Sequence, residues 1–386
     1  MVEMFRNKIG GLLFVLFVFW LTSFLGAVFI MGPFQPLLFI YTPLYRRIMD
    51  HLLAKWVTFP VALLEMLFGI KIVVSGDSFR PNEKSIIIMN HRTRLDWMFL
   101  WSCLIRRSAL HHEKIMLKIG LKNIPGGGWA MQAGHFIFIH RNWELDKQIL
   151  TDVLDYFSAI RHPTQILIFP EGTDLSDNNK MKSADFAKKN GLQVYEYVLH
   201  PRTTGFIFLV EKLRKQSMLD AVHDITIGYP KNIPQNELDI LKGNFPREIH
   251  FHIKRHPVVT LPISEEGLQN WCKQKWKEKE ELLKNFYQRK AFHNATNVDV
   301  GISFRLQLMF VSSIMIYTTI NAFFLYLLIT TTIGLYFFII ACIFYTIAVY
   351  VFGGLDRLEI LWYTKMRKIV SIFRYRSHEE TKQARE

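Results

Sequence analysis

Asn90-His91-Arg92-Thr93-Arg94-Leu95-Asp96 sets an imidazole and a carboxylate five residues apart, directly after the apolar run Ser85–Met89. Histidine titrates near neutrality, so its ring can take a proton from an alcohol. A carboxylate at this spacing can fold back and hydrogen-bond the other ring nitrogen, fixing the tautomer and stabilising the imidazolium. No nucleophilic serine is then required. A substrate hydroxyl attacks directly if the acyl group arrives activated, as in a thioester, whose thiol leaving group has a pKa of about 8.5. Standing alone, the pair reads more readily as structure, with His91 capping a turn and Asp96 capping a helix.

Three further clusters could bind an anion. Phe169-Pro170-Glu171-Gly172-Thr173 follows a second apolar run, Gln165–Ile168. Gly172 permits close backbone approach to a ligand, the adjoining N–H groups suit an anion, and Glu171 could position a hydroxyl or orient a base. His140-Arg141 ends the run Phe136–Ile139, and Arg141 offers a planar fork matched to phosphate. His200-Pro201-Arg202-Thr203-Thr204-Gly205 is a turn with a basic centre. Each has a plain structural counterpart: a β-turn, a solvated arginine, a loop.

Other residues invite chemistry and lose on balance. His250 and His252, with His256 nearby, suggest a metal, but alternation with Ile249, Phe251 and Ile253 explains them as the polar face of a strand. No metal site is expected. The cysteines, Cys103, Cys272 and Cys342, form no CxxC pair, and Cys103 sits in an apolar stretch that suits a buried thiol. Asn294-Ala295-Thr296 matches a glycosylation acceptor but is expected on the cytosolic side and unmodified.

The elements that position these residues read as an α/β domain over about 71–290. Ser85–Met89, Phe136–Ile139, Gln165–Phe169, Ile225–Tyr229 and Ile249–Ile253 are candidate strands, alternating with charged helical stretches such as Lys147–Ile160. Ser264–Tyr287 reads as an amphipathic helix with Leu268, Trp271, Leu282, Leu283 and Phe286 on its apolar face. It is expected to lie against the domain or a bilayer. Membrane segments flank the domain. Gly11–Met31 is uncharged, and at about 1.5 Å per residue it crosses a core of roughly 30 Å. Trp56–Ile70, interrupted by Pro60 and Glu65, is expected to be re-entrant or interfacial, forming a shallow hairpin with the first segment. About 306–329 and 333–351 form a transmembrane hairpin around Thr330–Thr332. The chain therefore divides into 1–70 (membrane-embedded), 71–290 (catalytic), 291–355 (hairpin) and 356–386 (basic tail).

Half of the 386 residues are hydrophobic and the net charge is +14, which implies an anionic partner. Membrane segments make lipid the expected partner, and no nucleic-acid motif is present. Basic flanks on both sides of the uncharged Thr330–Thr332 link, with Arg6 and Lys8 at the start, place the catalytic domain in the cytosol by the positive-inside rule.

Taken in order, the Asn90–Asp96 box, Arg141, the intact Phe169–Thr173 block and the His200–Gly205 turn resemble the glycerolipid acyltransferase family, also called lysophosphatidic acid acyltransferases. The resemblance covers about 71–290. It implies a general base at His91, an orienting acid at Asp96, and an acceptor site including Asn90, Arg94, Arg141, Glu171, Gly172, Thr173 and Arg202. It also implies an α/β acyltransferase domain with N-terminal membrane helices. The segments 90–101, 167–176, 195–206, 221–230 and 245–255, with the C-terminal hairpin, are similar to the lysocardiolipin acyltransferase branch. That branch implies acyl-CoA as co-substrate, no resident cofactor, and anionic acceptors: lysocardiolipin, lysophosphatidylinositol and lysophosphatidylglycerol. It also implies a multi-pass protein of the endoplasmic reticulum. The tail, Lys382-Gln383-Ala384-Arg385-Glu386, has no clear dilysine retrieval signal, so residence there rests on the resemblance. The competing functions are acylation of 1-acylglycerol-3-phosphate, CoA-independent transacylation and a non-catalytic lipid-binding scaffold.

Overall fold

The computed structural model describes residues 2–293 and 295–383. Asn294, the acceptor of the glycosylation triplet, and residues 384–386 of the tail lie outside the described residues. Two compact units interleave along the chain. One comprises Met1–Thr22, Leu53–Met116 and Arg161–Asn321, the other Ser23–Leu52, Leu117–Ile160 and Ala322–Glu386. This differs from a linear division, because 117–160 leaves the stretch 71–290 for the second unit. Parallel strands need long crossovers, and such connections can carry inserted structure.

The strands are β1 (Lys71–Gly76), β2 (Ser85–Met89), β3 (Glu113–Lys118), β4 (Ile137–Ile139), β5 (Gln165–Ile168), β6 (Ala221–Gly228), β7 (Glu248–Pro257) and β8 (Asp299–Val300). In the first unit they run in the order β3-β5-β2-β6-β7-β1-β8. At the centre β2 pairs in parallel with β5, Ser85 opposite Gln165 and Ile88 opposite Ile168. On its other side it pairs in parallel with β6, Ser85 opposite Ala221 and Met89 opposite Ile225. These three strands are buried throughout, which is why β2 and β5 read as unbroken apolar runs. Their aligned, parallel register brings the loops after Met89, Ile168 and Gly228 to one edge of the sheet, where open α/β sheets bind ligands. β7 turns antiparallel to β6, and β1 pairs in parallel with β7.

Helix Glu265–Arg289 covers the sheet at β6. It buries Leu268, Cys272, Trp276, Leu283 and Phe286, together with Lys275, Lys279 and Glu280. The buried Lys279 ammonium pairs with the Asp224 carboxylate and donates to the Ile225 carbonyl at 2.6 Å. Trp271 and Leu282, expected on the apolar face, are only half-buried.

The stretch Trp56–Ile70 continues helix Thr42–Ala62 and ends in the wide turn Leu63–Leu67. Its side chains pack into the protein: Phe59 lies edge-on to Phe17, and Glu65 accepts two hydrogen bonds from Arg106 at 2.9 and 2.6 Å. The N-terminal helical segment Lys8–Ile40 starts at an Asn7 cap. At Gly11 it passes so close to the Ile240 carbonyl that a Cβ would lie 2.0 Å from that oxygen. Lys8–Ile40, Phe304–Thr330 and Thr332–Phe352 are each long and apolar enough to cross a membrane. Thr331 caps the last of these by accepting from the Gly334 N–H at 3.0 Å.

The second unit has its own buried polar centre. Arg46 binds Asp50 and Glu359, each at 3.0 Å, and donates to the Ala133 carbonyl. Glu359 also takes the Tyr156 hydroxyl at 2.5 Å and lies 3.1 Å from His135 Nδ1. Mutual pairing makes such burial of charge tolerable.

Candidate active site

The first unit assembles the site at the edge where β2, β5 and β6 end. His91 begins the loop after β2, and Asp96 opens helix Asp96–Arg107. The loop folds back so that His91 Nδ1 lies 3.0 Å from Asp96 Oδ2. Asp96 is fully buried and held on every side. Its Oδ2 accepts the Thr93 N–H at 2.9 Å, and its Oδ1 accepts the Tyr229 hydroxyl at 2.6 Å. Burial, and then Asp96 itself, raise the Tyr229 hydroxyl well above the ordinary tyrosine range, so it remains a donor. With the carboxylate on Nδ1, the neutral ring carries its proton there and leaves Nε2 free to accept one. The ring stacks on Phe169 at 4.0 Å between centroids, which fixes its plane, and the side chain is 14% exposed.

Two residues expected to touch the acceptor are engaged as struts within the protein. Asn90 is buried, donates to the Ile227 carbonyl at 3.1 Å and accepts the Ile227 N–H at 2.9 Å. It splices the end of β2 to β6, and its polar atoms are taken. Glu171 is also buried. Its Oε1 accepts the His91 N–H at 3.1 Å and the Trp276 indole N–H at 3.2 Å, and its Oε2 accepts the Leu199 N–H at 3.1 Å. Burial pushes its carboxyl up to about 7 despite those donors. One side chain thus ties together the His91 loop, helix Glu265–Arg289 and the turn before Arg202.

The remaining expected residues are placed as follows. Gly172 adopts a φ of 73°, which glycine reaches without strain, and closes a turn to the Phe169 carbonyl at 2.9 Å. The Arg202 side chain lies over it: a Cβ at Gly172 would stand 3.5 Å from Arg202 Cδ. Arg202 is anchored by its N–H to the Pro170 carbonyl at 2.7 Å. Its guanidinium is exposed and has no ion-pair partner among the described residues, a free cation beside the Phe169–Thr173 loop. Thr173 Oγ1 accepts from Asn179 at 3.0 Å, which ties the loop to helix Asp177–Lys189. Arg94 is exposed and reaches Glu237 at 3.5 Å. Arg141 belongs to the second unit, where it follows β4 with φ 63°. Its loop is fixed by Asp146, which accepts the His140 N–H at 2.6 Å, and its side chain is exposed.

Sequence reasoning missed Tyr229, Trp276 and Glu280. Glu280 accepts three successive N–H groups, from Glu196, Tyr197 and Val198, at 2.7, 2.8 and 3.1 Å, and so shapes the turn that carries Arg202. Tyr229 directly follows β6 on the edge that bears His91, and its position was the available signal. His250 and His252, weighed as metal ligands, have protein partners instead: Glu248 at 3.0 Å and Ser75 at 3.1 Å. Cys103 is buried, and that burial pushes its thiol up to about 12. A thiol held there is not a nucleophile.

The family model described as acyltransferase matches residues 71–230, and the model for the acyltransferase C-terminus matches 239–314. Lysocardiolipin acyltransferase 1 of Mus musculus is 51% identical over 362 residues, 93% of this chain and 96% of its own. Lysophosphatidylinositol acyltransferase 10 of Caenorhabditis elegans is 48% identical over 246 residues, 63% of each chain. The crystal structure of the 1-acyl-sn-glycerophosphate acyltransferase PlsC from Thermotoga maritima covers 73% of this chain and 97% of that one, with a TM-score of 0.47 and 19% identity. With acyltransferase family models matched over 71–230 and 239–314, and with 51% identity across 96% of the mouse relative, the chain belongs to the glycerolipid acyltransferase family, the lysophosphatidic acid acyltransferases, and is an acyltransferase.

Proposed function

We propose that the protein transfers an acyl chain from acyl-CoA to the free hydroxyl of an anionic lysophospholipid, with lysocardiolipin, lysophosphatidylinositol and lysophosphatidylglycerol as acceptors. The observation that carries the chemistry is the 3.0 Å contact from His91 Nδ1 to Asp96, which leaves Nε2 as the base. Nε2 takes the acceptor's hydroxyl proton as its oxygen attacks the thioester carbonyl. Collapse of the tetrahedral adduct expels the CoA thiolate, and the imidazolium returns the proton to give free CoA. The sequence balances without a metal, a resident cofactor or an acyl-enzyme. Exposed Arg202 is the guanidinium group we assign to the acceptor's phosphate.

The headgroup assignment is supported by the activities that name the relatives and by the net charge of +14. The basic segments flanking the C-terminal helices favour a catalytic unit on the cytosolic face, and the resemblance to the lysocardiolipin acyltransferase branch favours the endoplasmic reticulum as its membrane. Acylation of 1-acylglycerol-3-phosphate is the second reading, favoured by the 33% identity over 282 residues to a probable 1-acyl-sn-glycerol-3-phosphate acyltransferase of Arabidopsis thaliana.

The test is a competition among mixed lysophospholipids in uncharged detergent micelles, with free CoA thiol measured alongside the product lipids. Thiol release matching product, with inositol and cardiolipin acceptors ahead of choline, is expected. Acylation without acyl-CoA would identify a transacylase. Equal or faster acylation of the choline lipid would overturn the headgroup assignment.

A further inference from the structure

Helix Asp177–Lys189 and the residues after it carry an exposed apolar patch that the transfer chemistry does not use. After the helix, Gly191 adopts φ 63°, and the Leu192 N–H turns back to the Ala187 carbonyl at 2.9 Å. This closing motif sets the residue after the glycine against the last helical turn. Leu192 thereby follows the turn that carries Phe186, with Val194 two residues on. Phe186, Leu192 and Val194 are 50%, 45% and 46% exposed. Soluble surfaces scatter such residues singly, and a cluster of them marks an interaction site.

The patch is joined to the active site on two sides. The Phe186 ring lies 5.8 Å from the His200 ring, and His200 Nε2 is 3.0 Å from the Gln193 carbonyl oxygen. His200 stands two residues before Arg202. At the other end of the helix, Asn179 binds Thr173 of the glycine loop. Lys182 and Lys189, four residues before and three after Phe186, flank it on the same helical face, with Lys188 adjacent. All three are exposed, and none has an ion-pair partner among the described residues; Asp185 is the exposed acid on this turn.

We propose that this patch seats on the surface of an anionic bilayer: Phe186, Leu192 and Val194 enter the headgroup layer while Lys182, Lys188 and Lys189 pair with lipid phosphates. Apolar side chains flanked by lysine are the pattern of a segment lying in the interface. The charge selects an anionic membrane, and attachment to Thr173 and His200 puts that membrane where an acceptor lipid would have to enter. The inference rests on the acceptor being a membrane lysophospholipid, and it makes the patch the site's contact with its substrate's own phase.

The experiment uses the full-length enzyme in vesicles of phosphatidylcholine with or without phosphatidylglycerol. A nitroxide is attached at Phe186→Cys in a Cys342→Ser background, Cys103 and Cys272 being buried. In anionic vesicles, collision with oxygen should exceed collision with a water-soluble nickel chelate, and that immersion should weaken without phosphatidylglycerol or with Lys182→Gln/Lys188→Gln/Lys189→Gln. A label equally open to the chelate in both compositions would overturn the proposal. This readout needs no turnover, so it stands or falls separately from the acyl reaction. In parallel, Phe186→Ser/Leu192→Ser/Val194→Ser should lower acylation of a bilayer-embedded long-chain acceptor at least about tenfold, while a short-chain monomeric acceptor stays within about twofold. Equal loss with both acceptors, or none with either, would also overturn it.

Discussion

At the scale of single residues, the groups that hold His91 are themselves committed. Asp96 answers to the imidazole, the Thr93 N–H and the Tyr229 hydroxyl, so the acid cannot swing away from the ring. Glu171 holds the backbone of His91 through an N–H that no sequence pattern displays. Its carboxyl sits at about 7, above its ordinary 4.5, because burial disfavours the charged form. The folded protein therefore binds that proton more tightly than the unfolded chain. Stability from this group is fully present below about pH 4.5 and is lost as pH rises through about 7. The thermal midpoint of the wild type should decline over that window, and Glu171→Gln, which does not titrate, should decline less; parallel curves would count against it. Arg202→Ala should raise KM for the lysophospholipid several-fold and leave KM for acyl-CoA nearly unchanged, since the free guanidinium is assigned to the acceptor's phosphate. A rise confined to acyl-CoA would move Arg202 to the donor's side. His91 and Asp96 were legible because their types and spacing state a chemistry. Asn90 and Glu171 were legible as motif members but not as struts, because only the register of β2 against β6 and the approach of Trp276 show where their polar atoms go.

Among the elements, helix Glu265–Arg289 matters most to the site while containing none of the expected site residues. Through Trp276 it reaches Glu171, and through Glu280 it gathers the N–H groups of residues 196–198. Glu280→Ala would leave three backbone donors without their acceptor, a change of about 1–3 kcal/mol for each group that stays buried. Amide exchange at 196–199 should accelerate and KM for the acceptor should rise, with exchange in β2 unaltered. Unchanged protection at 196–199 would contradict the clamp. The helix was visible in the sequence, but its buried face was drawn from apolar residues alone. Lys279 and Glu280 are buried because Asp224 and the 196–198 turn meet them there, and charged residues are ordinarily counted as solvent-facing. The central strands were legible for the opposite reason: buried on both faces, β2 and β5 are plain apolar runs. β3 escaped notice because lysine and glutamate are interspersed in it, and β8 because it is a two-residue edge strand. β6 was shortened at its start because His223 and Asp224 interrupt the apolar run, although both are buried in it.

On the scale of the whole molecule, interleaving separates where a residue falls in the chain from where it works. Arg141 belongs, by sequence order, between the His91 box and the Phe169–Thr173 block, yet folds into the second unit. Linear spacing carries no trace of that, whereas the three membrane-length helices were evident from length and apolarity alone. The central claim is that His91 is the base for acyl transfer, and it reduces to one comparison. Wild-type and His91→Ala protein, purified and reconstituted in bilayers, are given the same acyl-CoA and lysophosphatidylinositol, and initial rates of product and CoA formation are measured. A positioned base contributes on the order of 10²–10⁴-fold. The variant should remain folded and membrane-inserted while both rates fall by at least about 10²-fold, with product and CoA still formed one for one in the wild type. A folded His91→Ala protein that turns over within a few-fold of the wild type would contradict the account.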